Sequence, residues 1–115
     1  MLFMLLCLKI SGQTKAFKKQ LDSIQALRQL SKNTDFDLET RIQYAKKASE
    51  LSYKTKVDSV ILNSNSNIIE ISFEKKDFSM VKNICYKNLK LAKKTKDSTI
   101  IAHSAFTLGK YYSSH

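Results

Sequence analysis

The chain has 115 residues, enough for one domain or a short solenoid. A hydrophobic content of 43% excludes wholesale disorder, and a composition with no proline and only two glycines excludes a strand-rich fold built on tight turns. The net charge of +10 invites a nucleic-acid reading, but Arg28 and Arg41 are the only arginines and the lysines lie along most of the chain. Solvated helix faces are therefore the expected role of this charge, and bidentate base or phosphate recognition is disfavoured.

Leu2 to Leu8 is a continuous apolar run. It is shorter than the roughly 20 residues needed to span a bilayer and matches the apolar stretch of a secretory leader. Residues 1–12 are read as a signal peptide, cleaved between Gly12 and Gln13, with residues 13–115 forming one domain. Export to the periplasm follows; an uncleaved leader would leave the product in the cytoplasm. Lys9 follows the apolar run, where a leader's positive charge usually precedes it. After cleavage Cys85 is the one remaining cysteine, so no intramolecular disulfide can form and the fold must hold by packing. Its place on an apolar helix face makes it a small buried hydrophobe.

From Lys15 to Leu30, the residues Phe17, Leu21, Ile24, Leu27 and Leu30 recur at intervals of three and four, one face of an amphipathic helix. Ser31 to Phe36 breaks the pattern. Asp37 then caps a second helix with Leu38, Ile42, Ala45, Ala48 and Leu51 inward, and Lys54 and Lys56 near its end complement the helix dipole. Asp58 or Ser59 is expected to cap a third helix carrying Ile61, Leu62, Ile68, Ile69 and Phe73. Its centre, Asn63 to Asn67, is a run of poor helix formers that would be a loop on propensity alone. The flanking apolar pieces are too short for separate helices, so one continuous helix with small, closely packed contacts is expected. Asp77 caps a fourth helix with Phe78, Val81, Ile84, Cys85, Leu89 and Leu91 inward. Asp97 or Ser98 opens a fifth, bearing Ile100, Ile101, Ala105, Phe106, Leu108, Tyr111 and Tyr112. Short linkers imply antiparallel neighbours.

The segment Leu51 to Ser59, LSYKTKVDS, recurs at Leu91 to Ser98 as LAKKTKDS. Asp37 precedes Asp77 by 40 positions and Asp58 precedes Asp97 by 39, so the helix pairs repeat in register. The expected fold is all-α: antiparallel helix-turn-helix repeats, about five helices of an α-solenoid.

Ala102-x-x-Ala105-x-x-Leu108-Gly109-x-x-Tyr112 resembles the first helix of a tetratricopeptide (TPR) repeat. There the Leu-Gly pair and the tyrosine meet the partner helix, and glycine permits a close crossing. In the preceding unit Ile69 and Phe73 take the leucine and tyrosine places, while Glu70 stands where glycine is expected. Val81, Cys85, Asn88 and Leu89 occupy the places of the second helix. The closing proline is absent, and the 39–40-residue period exceeds the family's roughly 34. With a leader ahead of it, the chain resembles the exported N-terminal sensory region of Bacteroidetes-type histidine kinases or helix-turn-helix regulators. By that resemblance it is a segment truncated at its C-terminus, since its last helix has no partner helix.

No catalytic constellation emerges. His103 has no second His or Cys three or four residues away to share a metal, two isolated glycines make no phosphate loop, and Asp35 with Asp37 is accounted for by a helix cap. No enzyme activity and no cofactor are expected. The resemblance implies a concave groove lined by the first helix of each unit. By position this places Ser64, Asn67, Ile71 and Glu74 there from one unit, and His103, Phe106 and Lys110 from the next. The expected function is a non-catalytic protein-interaction or signal-sensing scaffold with a protein or peptide partner. A membrane would be engaged only through the leader or a missing downstream segment. The alternative is a small basic helical nucleic-acid-binding protein whose affinity falls steeply with salt.

Overall fold

A computed structural model describes the backbone of residues 2–114 and the side chains of residues 14–110. Five helices follow in order: α1 (Leu2–Lys32), α2 (Leu38–Thr55), α3 (Asp58–Glu74), α4 (Phe78–Thr95) and α5 (Ser98–Ser114). The helix ends are set by side chains. The Asp37 carboxylate accepts from the Thr40 N–H at 2.7 Å, and Asp77 accepts from the Met80 N–H at 3.2 Å. Asp97 Oδ1 accepts from the N–H groups of Thr99 and Ile100, at 2.9 and 3.3 Å. Each contact satisfies an N–H that the helix itself leaves open.

The third cap differs. Val57 occupies that position without a side-chain hydrogen bond, and Asp58 is the first helical residue. Val57 is the extra residue that separates LSYKTKVDS from LAKKTKDS, so it displaces the acid by one place. Asp58 still lies where a negative charge complements the dipole. The helix stops are equally regular. Lys56, Lys76 and Lys96 all take the left-handed conformation, with φ of 57°, 61° and 58°. Thr55 and Thr95 each donate back to the carbonyl three residues earlier, at 2.6 Å.

Each helix packs on the next in sequence, and α1 also touches α3. The central core joins Ile42 and Ala45 of α2, Ile68, Ile69 and Ile71 of α3, and Val81, Ile84 and Cys85 of α4. Leu38, Phe78, Met80 and Leu108 pack against its margin. Burying such an apolar side chain stabilises the fold by about 1.5–3 kcal/mol, and this sets the order of the stack. Phe73, 36% exposed, meets Phe78 edge-on with ring centroids 5.8 Å apart.

The Asn63–Asn67 run is helical throughout. Ser64, Asn65 and Asn67 are buried there, and every one of them has a partner. Asn65 accepts from Ser49 Oγ and donates to Asn88 Oδ1 at 2.9 Å and Tyr53 Oη at 3.2 Å. Asn88 in turn donates to the Leu62 carbonyl at 3.4 Å. Ser64 Oγ meets Ser52 Oγ; because the Ser52 hydroxyl donates to the Ala48 carbonyl, Ser64 is the donor of that pair. A polar seam thus crosses α2, α3 and α4, and its tertiary hydrogen bonds override poor intrinsic propensity.

The expected leader at residues 1–12, and Tyr111, Tyr112 and His115, lie outside the residues whose side chains are described. Within α5 the apolar face is narrower than expected. Ala105 is exposed and Phe106 is 71% exposed, while Leu108 and Ile101 are partly covered. No neighbour lies within 4 Å of the place a Cβ would take on Gly109, so no close helix crossing is made there among the described residues.

Candidate functional site

The inner helices of the stack meet in two different ways. Between α1 and α3 the junction is bridged at one end by a chain of polar contacts centred on Ser31, which is fully buried. Its carbonyl accepts from Arg41 Nε at 2.9 Å, and its hydroxyl donates to the Arg28 carbonyl at 2.6 Å and accepts from Asn67 Nδ2 at 3.5 Å. Arg41 continues to Glu74 at 3.2 Å. Nearby, Lys75 pairs with Glu39 on the surface. The hydrogen bond from Lys75, followed by one from Gln43, holds the Glu39 carboxyl below its ordinary value, and the same contact with Glu39 raises Lys75.

Between α3 and α5 no such contacts exist among the described residues, and the two helices stand apart. The gap is a groove in two connected parts. One part, about 350 Å³, is lined by Ser66, Ile69, Glu70 and Phe73 of α3, Val81 of α4, and His103, Phe106, Thr107 and Lys110 of α5. The other, about 260 Å³, shares Ser66, Ile69, His103 and Thr107 and continues towards Ser59, Asn63 and Ser104. Cys85 and Asn88 form its floor. Asn63 also borders a third hollow of about 360 Å³ between α1 and α3, beside Gln25 and Arg28. There the Arg28 Nε is buried without a hydrogen-bond partner among the described residues.

The residues expected to line a groove divide sharply. His103, Phe106 and Lys110 lie together along the α3–α5 groove. Ser64, Asn67 and Ile71 do not; they are 0%, 3% and 3% exposed and face α1, α2 and the core. Glu74 is engaged with Arg41. On α3 the groove face is instead Ser59, Asn63, Ser66, Glu70 and Phe73, at spacings of four, three, four and three. That spacing was available in the sequence, yet it competes with equally regular sets on other faces. Because α1, α2 and α4 all press on α3, composition alone does not mark which face stays open.

The groove combines an apolar middle, formed by Ile69, Phe73, Val81 and Phe106, with Glu70 and Lys110 as charges of opposite sign. Such a surface can hold an apolar side chain and orient its flanking charges. Burial raises the Cys85 thiol at the groove floor above its ordinary value, which disfavours the reactive thiolate. Among the described residues no cluster of three His, Cys, Asp or Glu side chains could hold a metal ion. Among the described residues no helix is long and apolar enough to cross a membrane. Comparison with protein-family models, curated proteins and solved structures returns no match to this chain.

Proposed function

We propose that the chain is a non-catalytic protein-interaction or signal-sensing scaffold of tetratricopeptide-like repeats, exported and belonging to a bacterial signalling protein. The observation that carries this reading is the open α3–α5 groove. It lies between the first helices of successive pairs, with the intervening helix α4 as its floor. A peptide or protein segment would set an apolar side chain between Phe73 and Phe106, and place a basic group by Glu70 and an acidic group by Lys110. The α3 side of the groove belongs to a helix packed on three neighbours, so little ordering entropy is lost there on binding.

A phage-displayed random peptide library, selected against the full chain, tests the proposal. Selected peptides should share an apolar or aromatic anchor. Their binding should fall by about thirtyfold on Phe106→Asp, the loss typical of an interface hot spot, while circular dichroism stays unchanged. Selected peptides that bind Phe106→Asp and Phe73→Ala as tightly as the parent would contradict it.

A further inference from the structure

Helix α4 turns Lys82, Lys87, Lys90, Lys93 and Lys94 to solvent. At 3.6 residues per turn these five lie within about 140° of the helix circumference and along about 18 Å of its axis. No acidic residue lies on α4. Among the described residues none of the five is in an ion pair; the pairs present are Arg41–Glu74 and Lys75–Glu39. Neighbouring like charges at spacings of three and four, such as Lys87–Lys90 and Lys90–Lys94, oppose helix formation. The fold does not require them. At matching positions 40 residues earlier, α2 keeps Lys47 and Lys54 for Lys87 and Lys94, but carries Ile42 in place of Lys82, Glu50 in place of Lys90 and Tyr53 in place of Lys93.

We propose that the outer face of α4 adsorbs the chain to an anionic lipid surface. The cations are all lysine, compact point charges suited to diffuse headgroup charge, and the arc has no arginine for planar, bidentate recognition. A plane meets the whole ridge at once, because the long stems at the edges of the arc bend down to it. Tyr86, 47% exposed, lies within the arc and is a residue type that settles at the membrane–water boundary. The apolar side of α4 is buried in the core, so attachment is electrostatic and reversible, and salt weakens it. The groove floor, Val81 and Cys85, is on the opposite side of α4, which leaves the groove open while the chain is adsorbed.

Co-sedimentation of the full chain with vesicles tests this, using phosphatidylcholine alone and phosphatidylcholine mixed with phosphatidylglycerol. Two charge-matched variants separate the α4 face from overall basicity: Lys87→Gln/Lys90→Gln/Lys94→Gln on α4, and Lys46→Gln/Lys47→Gln/Lys54→Gln on α2. All six positions are exposed, so both variants keep the fold, which circular dichroism checks. The parent should bind only the anionic vesicles. The α4 variant should lose about a hundredfold in partitioning, at roughly fivefold per lysine, and the α2 variant should stay within about threefold. Equal losses in both variants, no binding to anionic vesicles, or tighter binding to a DNA duplex with the same dependence on α4 would overturn the proposal.

Discussion

At positions 40 residues apart, α2 and α4 bury Arg41 and Val81, Ala45 and Cys85, Ala48 and Asn88, and Ser52 and Ala92. They begin at the aspartates Asp37 and Asp77 and end at the left-handed lysines Lys56 and Lys96. Their surroundings nevertheless diverge. The unit around α2 is bridged by side chains, which closes it at the Ser31 end: Arg41 reaches Ser31 and Glu74, and Lys75 reaches Glu39. The unit around α4 and α5 carries no ion pair among the described residues, leaves a groove beside α3, and exposes Phe106. The two units therefore share their internal spacing and caps, while the surfaces they leave over are independent of the fold and open to function.

The largest contrast between the units should come from two apolar residues that a reading by position puts on one surface. Ile71→Ala, in the closed half, should cost about 3 kcal/mol because it opens a cavity in packed core, whereas Phe106→Ala should stay within about 0.5 kcal/mol. Urea titration of both variants measures the difference. Near-equal values would erase the distinction between closed and open halves. Next is the seam that joins them. Asn65→Ala removes a buried side chain that serves Ser49, Tyr53 and Asn88, leaving the buried Ser49 and Asn88 short of a partner, and should cost about 2 kcal/mol.

The caps give a smaller effect. Asp77→Ala loses a hydrogen bond to the Met80 N–H and should cost about 1 kcal/mol, while Asp58→Ala, which makes no capping bond, should cost a few tenths, about 0.3 kcal/mol. Thermal melts would show an equal cost if Asp58 were the true cap. Helix ends should respond in the opposite direction. Lys96→Gly relieves a left-handed side chain and should raise stability by about 0.5 kcal/mol, with Lys56→Gly behaving alike.

Acid separates the units through the Glu39–Lys75 pair, which among the described residues only the first possesses. Glu39 titrates below its ordinary 4.5 in the folded chain, so its contribution is complete above 4.5 and is lost as pH falls through the lower folded value. Lys75 titrates above its ordinary 10.5, so its contribution is complete below 10.5 and lost as pH rises through the higher one. Melting temperature followed against pH should show both limbs flatten in Lys75→Met. Unchanged limbs would mean that the pair adds nothing to stability.

Much of the architecture was legible because the helix signals are local. Asp37 and Asp77 announce helix starts, the apolar residues of α2 and α4 recur on one face, and the LSYKTKVDS and LAKKTKDS segments mark the period. The Asn63–Asn67 helix was legible only through its flanks, since its stabilisation comes from partners 12 to 36 positions away, such as Ser52, Asn88 and Ser31. The cap at α3 was misplaced by one residue because Val57 is an insertion, and propensity favours the aspartate beside it. On α5 the groove residues His103, Phe106 and Lys110 could be read by position, since that helix has one packed side. On α3 they could not. Three neighbouring helices surround it, and the choice between Ser64, Asn67 and Ile71 or Asn63, Ser66 and Glu70 depends on a rotation of about 100° that only packing decides.

Native-state hydrogen exchange, resolved along the chain, tests the central claim most directly: α3 is one continuous helix pinned through its polar centre, with α5 standing loosely beside it. Amides from Ser64 to Ser72 should be the slowest to exchange, close to the limit set by global unfolding, and those of α5 clearly faster. Rapid exchange across Asn63–Asn67, as a loop would give, or equal protection of α5, would contradict the account.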